Sequence, residues 1–202
     1  SNLFLFRKDF ILSCIDMKYK VYAFVSEYDD YWIKEIQKLG AEVITYQLSR
    51  SGLNPFKDLK SMIELNRYIN QYNPDIVFSF FTKPVIYGSL AAKLAGSPKI
   101  IGMIEGLGSP FTEHPTGQSW KMKMIRFFQV TLYRIVFPFL DKIIFLNEDD
   151  RLEFVSRQLV DERKTLLLPG EGVDLSFFYP SEKFAEDDSV SFLLIARLLW
   201  DK

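Results

Sequence analysis

Two basic residues near the end of the chain have the chemistry to bind a diphosphate. Arg197 follows directly after a predicted buried strand, residues 191–196, and Lys202 follows five residues later. A guanidinium can bind a phosphate in a bidentate fork, an ammonium group can act as a point charge, and free backbone N–H groups at the start of a helix can add hydrogen bonds. The spacing alone, however, is more typical of two solvated surface charges.

An acidic residue followed by glycines forms the second candidate. The segment Glu105-Gly106-Leu107-Gly108-Ser109 follows a predicted strand, residues 99–104. Ligands of open α/β sheets bind at the carboxyl ends of such strands. Gly106 and Gly108 could let a ligand approach the backbone, while Glu105 could accept a hydrogen bond from a hydroxyl group or act on a proton. The segment is not a dinucleotide-binding fingerprint, because the third glycine is missing.

A third glycine-containing segment lies further along the chain. It is Pro169-Gly170-Glu171-Gly172-Val173-Asp174, and it is followed by Phe178 and Pro180. The glycines permit a tight turn, and Asp174 can cap the short segment after it. Taken alone, the pattern is more typical of a hinge between domains than of a ligand site.

The elements that position these candidates alternate between strands and helices. Short β-branched and aromatic runs predict strands at residues 20–25, 42–46, 75–81, 99–104, 142–146 and 165–168. Apolar residues at helical spacing predict helices at residues 3–17, 56–72, 84–95, 119–140 and 149–160. A further helix has its apolar face between Trp32 and Leu39, and either Asp29 or Asp30 can cap it. This alternation indicates βαβ units, so the predicted fold class is α/β, with a Rossmann-like, doubly wound parallel sheet.

The two ends of the chain depart from a complete doubly wound domain. Such a domain normally begins with a strand, whereas this chain begins with a predicted helix. Residues 182–189 are polar and acidic like a linker, and a single predicted strand follows them. We therefore predict a Rossmann-like domain at 1–180 that lacks its first strand, a linker at 181–190, and the truncated start of a second domain at 191–202.

Composition excludes several classes of protein. With 25 Lys+Arg against 26 Asp+Glu the chain has no electrostatic footprint for nucleic acid, and 48% hydrophobic residues suffice for a full core. One cysteine, Cys14, leaves no basis for a disulfide framework or a Cys-based structural zinc site, and one histidine, His114, leaves almost no room for a His-rich catalytic metal site. No secretory signal opens the chain, and its apolar runs are far shorter than the roughly 18 to 20 residues that span a bilayer. A cytoplasmic location is expected.

Taken together, these motifs resemble family four retaining glycosyltransferases of the GT-B fold. The resemblance rests on the Glu105 segment, on Gly172-Val173-Asp174 with Phe178 and Pro180, and on Ile195-Ala196-Arg197 with Lys202. Together with the Glu105 segment, Ser49-Arg50-Ser51-Gly52-Leu53-Asn54-Pro55 is most similar to the branch that extends bacterial lipid-linked glycans. That branch includes N-acetylgalactosaminyltransferases acting on undecaprenyl-diphosphate-linked sugars. The resemblance runs the length of the chain.

The resemblance implies a division of labour between two domains. The N-terminal domain would bind the acceptor and the C-terminal domain a nucleotide-sugar donor, expected to be a UDP-sugar. Arg197 and Lys202 would be the catalytic pair that holds the donor diphosphate and supports its departure. The acceptor cleft would be lined by Glu105, Gly106, Gly108 and Ser109.

The resemblance also implies which groups the reaction does not need and which part of the enzyme is missing here. It implies no metal, no cofactor and no protein nucleophile. Glu171 is a departure, because asparagine often precedes Gly-Val-Asp in the family. The chain alone is expected to be inactive, since most of the donor pocket would lie beyond Lys202. The alternative is a non-catalytic α/β module that binds a ligand or, through its aromatic surface, a partner protein.

The predicted helix at 119–140 is both basic and aromatic. A helix of this kind can lie in an anionic headgroup layer, where each nearby Lys or Arg contributes roughly 1 kcal/mol. The membrane-facing candidates are Trp120, Lys121, Lys123 and Arg126. The alternative is that the helix packs on the sheet, with its aromatic side chains in the core.

Overall fold

The computed structural model describes residues 2–26, 29–48, 55–108, 110–111, 117–180 and 192–194. Within these residues strands and helices alternate as predicted. The helices are α1 (Asn2–Asp16), α2 (Asp30–Lys38), α3 (Pro55–Tyr72), α4 (Thr82–Leu94), α5 (Trp120–Val136) and α6 (Glu148–Ser156). The strands are β1 (Tyr22–Val25), β2 (Glu42–Thr45), β3 (Ile76–Phe80), β4 (Lys99–Ile104), β5 (Lys142–Phe145) and β6 (Thr165–Leu167).

All strand pairs are parallel, so the predicted α/β class is confirmed. The described strands form two sheets, one of order β1-β2 and one of order β3-β4-β5-β6. In the larger sheet Ile101 of β4 is in register with Lys142 of β5, and Ile143 of β5 is in register with Thr165 of β6. Because the strands are parallel, their carboxyl ends all lie at one edge of each sheet.

Helices cover both faces of the strands. Side chains alternate along a strand, and in β1 the buried residues Ala23 and Val25 pack with Ile11 of α1 and Ile36 of α2. Phe24 points the other way and joins the larger core, where α3, α4 and α5 cover the strands. This two-sided arrangement is what a doubly wound fold requires.

Close packing between α4 and the sheet depends on a glycine in β4. A Cβ atom added at Gly102 would lie 2.5 Å from Leu140 Cδ2 and 3.1 Å from Val85 Cγ1, both fully buried side chains. The strand therefore has room for a hydrogen atom but not for a methyl group at this position.

Two predicted helices end earlier than expected. The helix predicted at 119–140 stops at Val136 and continues as a 3₁₀ turn, Phe137–Phe139, because Pro138 has no backbone N–H to donate. The helix predicted at 149–160 stops at Ser156, since Gln158 takes a φ of +53° and the N–H of Leu159 bonds back to the carbonyl of Phe154.

The final predicted strand, residues 191–196, is described only at 192–194. Those three residues form no strand there, and Phe192 is 95% exposed. A strand needs a neighbour to satisfy its backbone groups, and none of the described strands lies beside this segment. For these three residues the prediction of a buried strand is wrong; the remainder of that strand and the linker at 181–190 lie outside the described residues.

Candidate functional site

The predicted acceptor-cleft residue Glu105 lies at the carboxyl edge of the larger sheet. It is the first residue after β4. Phe80, the last residue of the neighbouring strand β3, lies at the same edge. The Glu105 side chain is 14% exposed, so it is mostly removed from water. Its position is the one expected for a ligand-binding group of an open α/β sheet.

An arginine from the first helix holds Glu105. Arg7 is 5% exposed, and its Nη2 donates a hydrogen bond to Oε1 of Glu105. Its Nη1 lies 3.0 Å from Oε1 of Glu171 and 2.8 Å from the carbonyl oxygen of Phe6. The guanidinium carbon lies 4.6 Å from the centre of the Phe80 ring. One buried cation thus joins two carboxylates that come from distant parts of the chain.

The surroundings of Glu105 raise its pKa to about 7. Burial is the largest cause, because an apolar environment disfavours the ionised carboxylate. Arg7 lowers the pKa, whereas the charge of Glu171 and a side-chain hydrogen bond with it raise the pKa. Glu105 therefore gains and loses a proton near neutral pH, which suits a group that binds hydroxyl groups or moves a proton.

A strained aromatic residue borders this site. Phe81 follows β3 and has φ 67° and ψ 154°, a backbone conformation that is essentially confined to glycine and costs on the order of 1–3 kcal/mol. It precedes α4 without capping that helix through its side chain, and its ring lies 5.3 Å from that of Phe80. Strain of this kind is concentrated at ligand-binding sites in proteins.

A second charged cluster lies close to the same edge. Asp58, in the first turn of α3, is 1% exposed, and its Oδ1 lies 2.9 Å from Nζ of Lys83 in the first turn of α4. The hydroxyl group of Tyr87 donates to Oδ2 of Asp58 at 3.3 Å. Burial and the Asp58 charge raise the pKa of Tyr87 to about 12. The cluster fixes the start of α3 against α4, beside the candidate cleft.

The other predicted cleft and catalytic residues are only partly described. Gly106 is exposed with open space where a Cβ would point, and Gly108 has a φ of +76°. Ser109, His114, Arg197 and Lys202 lie outside the described residues. The predicted diphosphate site therefore stays a prediction.

Helix α5 presents two different faces. Tyr133 and Val136 are fully buried, as expected for a helix that packs on the sheet. The opposite face carries an exposed apolar stripe with helical spacing: Trp120, Met124, Phe127, Phe128 and Ile135. Lys121 and Lys123 are exposed beside its first turn. Both of the alternative roles of the helix thus have side chains to support them.

One membrane-facing candidate has to be corrected. Arg126 does not join the exposed stripe, because its Nη2 lies 3.0 Å from Oε1 of Glu153 in α6. Its guanidinium carbon also lies 4.9 Å from the centre of the Phe111 ring. These contacts direct the charge of Arg126 into the protein.

In the part of the chain that the structure describes, no cluster of three or more His, Cys, Asp or Glu side chains could hold a metal ion. Nor does any helix there have the length and apolar character needed to cross a bilayer.

Comparison with known proteins gives a consistent set of matches. A family model described as glycosyl transferase 4-like matches residues 5–147. The N,N'-diacetylbacillosaminyl-diphospho-undecaprenol alpha-1,3-N-acetylgalactosaminyltransferase of Campylobacter jejuni is 32% identical over 213 residues, covering 100% of this chain and 55% of that protein. The UDP-Gal:alpha-D-GlcNAc-diphosphoundecaprenol alpha-1,3-galactosyltransferase of Escherichia coli is 29% identical over 130 residues, covering 64% of this chain and 31% of that protein.

The solved structure of a glycosyltransferase from Rickettsia africae has the same fold. It matches with a TM-score of 0.58 at 17% identity, covering 91% of this chain and 43% of that one. The chain spans about half the length of the Campylobacter relative and about a third of the Escherichia one.

Proposed function

The chain belongs to the glycosyl transferase 4-like family, and from that premise we propose that it is the acceptor-binding part of a retaining glycosyltransferase. The complete enzyme would move a sugar from a nucleotide-sugar to a lipid-diphosphate-linked glycan. The observation that carries this proposal is Glu105, a mostly buried carboxyl group with a pKa of about 7 at the carboxyl edge of the sheet. A group with these properties can bind an acceptor hydroxyl group in either protonation state.

The names of the relatives support the proposed substrates. Both relatives act on a sugar carried by undecaprenol diphosphate, and the second uses UDP-galactose as donor. We therefore assign a lipid-diphosphate-linked sugar as the acceptor and a UDP-sugar as the donor. With these substrates, the proposed reaction would be a step in the synthesis of a bacterial surface glycan at the inner face of the cytoplasmic membrane.

The division of the sheet supports the proposal that the acceptor domain lacks its first strand. A doubly wound sheet that lacked its central strand would separate into two parts, and the described strands do form two sheets. Residues 1–180 are accordingly proposed as the acceptor domain without its first strand, residues 181–190 as a linker, and residues 191–202 as the start of the donor domain.

In the proposed reaction, the acceptor hydroxyl oxygen forms a bond to the anomeric carbon of the donor sugar. The bond from that carbon to the donor diphosphate breaks, and the hydroxyl proton leaves with the diphosphate on the same face. Arg197 and Lys202 would bind the departing diphosphate and offset its growing negative charge. Glu105 would orient the acceptor at the edge of the sheet.

We also assign membrane contact to the exposed face of α5. The stripe that contains Trp120 and Phe127 would enter the headgroup region, and Lys121 and Lys123 would complement anionic lipids. The helix would lie on the bilayer without crossing it, which brings a lipid-linked acceptor close to the cleft.

A transfer assay tests the proposal. A protein that contains this chain together with a donor domain, called the longer protein below, is incubated with a panel of UDP-sugars and an undecaprenyl-diphosphate-linked sugar, and product is measured by mass. We expect transfer from one donor, and Arg197→Ala should lower turnover strongly while acceptor binding persists. If the folded longer protein transfers no sugar from any donor, the chain is instead a non-catalytic binding module.

A further inference from the structure

Arg7 and Glu171 stand out as charged groups next to Glu105 that the proposed reaction does not use. They come from opposite ends of the domain, α1 and the loop after β6, and meet at the carboxyl edge of the sheet. The Glu171 side chain is 21% exposed although its backbone lies at the surface, so its carboxylate is directed inward. Arg7 is almost fully buried, and its Nε has no hydrogen-bond partner among the described residues.

We propose that Glu105 and Glu171 form one carboxylate pair that binds the hydroxyl groups of the acceptor's terminal sugar, and that Arg7 is the positioning residue that holds the pair. This inference rests on the proposed function and extends it, because it names which part of the acceptor reaches this edge of the sheet. Glu171, which departs from the family pattern, thereby becomes part of the acceptor site.

The charges of the cluster determine which ligand it fits. One guanidinium and two carboxylates give a net charge of −1, or zero when the pair shares a proton, so the cluster offers no attraction for phosphate. A sugar hydroxyl group can donate to an ionised carboxylate and accept from a protonated one. The pair therefore fits the neutral sugar end of the acceptor, and the acceptor diphosphate must bind elsewhere.

The geometry explains why an arginine stands at position 7. A guanidinium presents several donors in a rigid plane, so a single side chain can bind carboxylates on two sides. Nη2 binds Glu105 while Nη1 binds Glu171, and the Phe80 ring covers the guanidinium at 4.6 Å. Lysine would keep the charge at this position but could not hold both carboxylates in one plane.

The chain offers a matched control for this arrangement. Arg151 also binds two glutamates, with Nη1 3.0 Å from Oε1 of Glu162 and Nη2 2.5 Å from Oε1 of Glu148. That cluster involves α6 and the turn before β6, and Glu162 is 66% exposed. Variants there perturb the same arrangement of one arginine and two glutamates, at a more exposed place, without touching the proposed acceptor site.

The first experiment measures KM and the pH profile of kcat/KM for the acceptor in the longer protein. Glu171→Gln and Arg7→Lys should each raise the KM for the acceptor about ten-fold, as expected for loss of one hydrogen bond to a charged group, with an unchanged KM for the UDP-sugar. Glu162→Gln and Arg151→Lys should leave both constants unchanged.

The pH profile separates a positioning role from a merely structural one. Arg7 and Glu171 are the charged groups that act on Glu105, and they act in opposite directions. Arg7→Met should therefore move the pH midpoint of acceptor kcat/KM upward, and Glu171→Gln should move it downward. Midpoints that coincide with the wild type, or an unchanged acceptor KM in Glu171→Gln, would overturn the proposal.

A binding measurement keeps the inference separable from the proposed function and from loss of folding. NMR titration of the longer protein with the methyl glycoside of an N-acetylhexosamine should perturb signals of Glu105 and Glu171, and inorganic pyrophosphate should not. Glycoside binding without any sugar transfer would refute the proposed enzyme and leave the carboxylate pair as a sugar-binding site. Transfer without perturbation of these residues, or perturbation by pyrophosphate alone, would refute the inference. Where Arg7→Met does not fold, the downward shift in Glu171→Gln remains the test of the pH midpoint, and Arg7→Lys remains the test of the acceptor KM.

Discussion

Replacing Glu105 by glutamine should change how stability depends on pH. Folding raises the pKa of Glu105 from its ordinary 4.5 to about 7, so the folded chain binds a proton at this residue more tightly than the unfolded chain does. The stability that this proton contributes is present below about pH 4.5 and is lost as the pH rises to about 7.

The size of the effect follows from the two pKa values. A difference between 4.5 and about 7, at roughly 1.4 kcal/mol per pH unit, corresponds to about 3 kcal/mol. Because 14% of the side chain is exposed, solvent screens part of this, and about 2–3 kcal/mol is expected. Glu105→Gln cannot ionise, so the free energy of unfolding of the wild type should fall relative to that of the variant by this amount between pH 4.5 and 7.5.

Urea unfolding of both proteins at half-unit steps of pH measures the difference directly. Acidic residues that do not interact with Glu105 contribute equally to both proteins and cancel. Glu162→Gln, which replaces an exposed carboxylate outside this cluster, is the control variant. If the curves of the wild type and Glu105→Gln are parallel from pH 4.5 to 7.5, the environment described for Glu105 is wrong.

Three further perturbations have definite expected outcomes. Gly102→Ala should lower the free energy of unfolding by about 1–3 kcal/mol, because its methyl group would meet buried side chains at 2.5–3.1 Å, and an unchanged urea midpoint would contradict this packing. Lys83→Met should cost about 3–5 kcal/mol by leaving the Asp58 carboxylate buried without its cation, and adding Asp58→Asn should recover part of the loss in the same unfolding assay. Replacing Lys121 and Lys123 by Glu should reduce sedimentation of the protein with anionic liposomes, whereas replacing two exposed lysines of other helices by Glu should not. Equal sedimentation of these two variants would refute the membrane proposal. The control positions are Lys34 and Lys60.

The order of the elements could be predicted from the sequence because each has its own local signal. Apolar spacing defines α1 to α6, and the short β-branched runs define the strands between them. The position of Glu105 followed from the same logic, since it comes directly after a predicted strand. The ends of the helices were harder to predict from the sequence, because the turn at Gln158 has a positive φ without the glycine that usually marks such a turn.

The partners of Glu105 were not predicted, for physical reasons that differ between them. Arg7 lies four residues after Leu3 and four before Ile11, so it shares the inward face of α1 with them. A charged residue on an otherwise apolar helix face was the one sequence signal that could have pointed to Arg7. Glu171 was noticed only as a departure from a motif, because its meeting with Arg7 depends on tertiary packing. The strain at Phe81 carries no sequence signal, since nothing about phenylalanine indicates a glycine-like conformation.

The most direct test of the central claim is the ligand preference of this 202-residue chain by itself. Binding is measured in nanodiscs with an undecaprenyl-diphosphate-linked sugar, and separately with a UDP-sugar in solution. An acceptor-binding domain should bind the lipid-linked sugar saturably, bind it more weakly after Glu105→Gln, and show no binding of the UDP-sugar. Saturable binding of the UDP-sugar with none of the lipid-linked sugar would contradict the account.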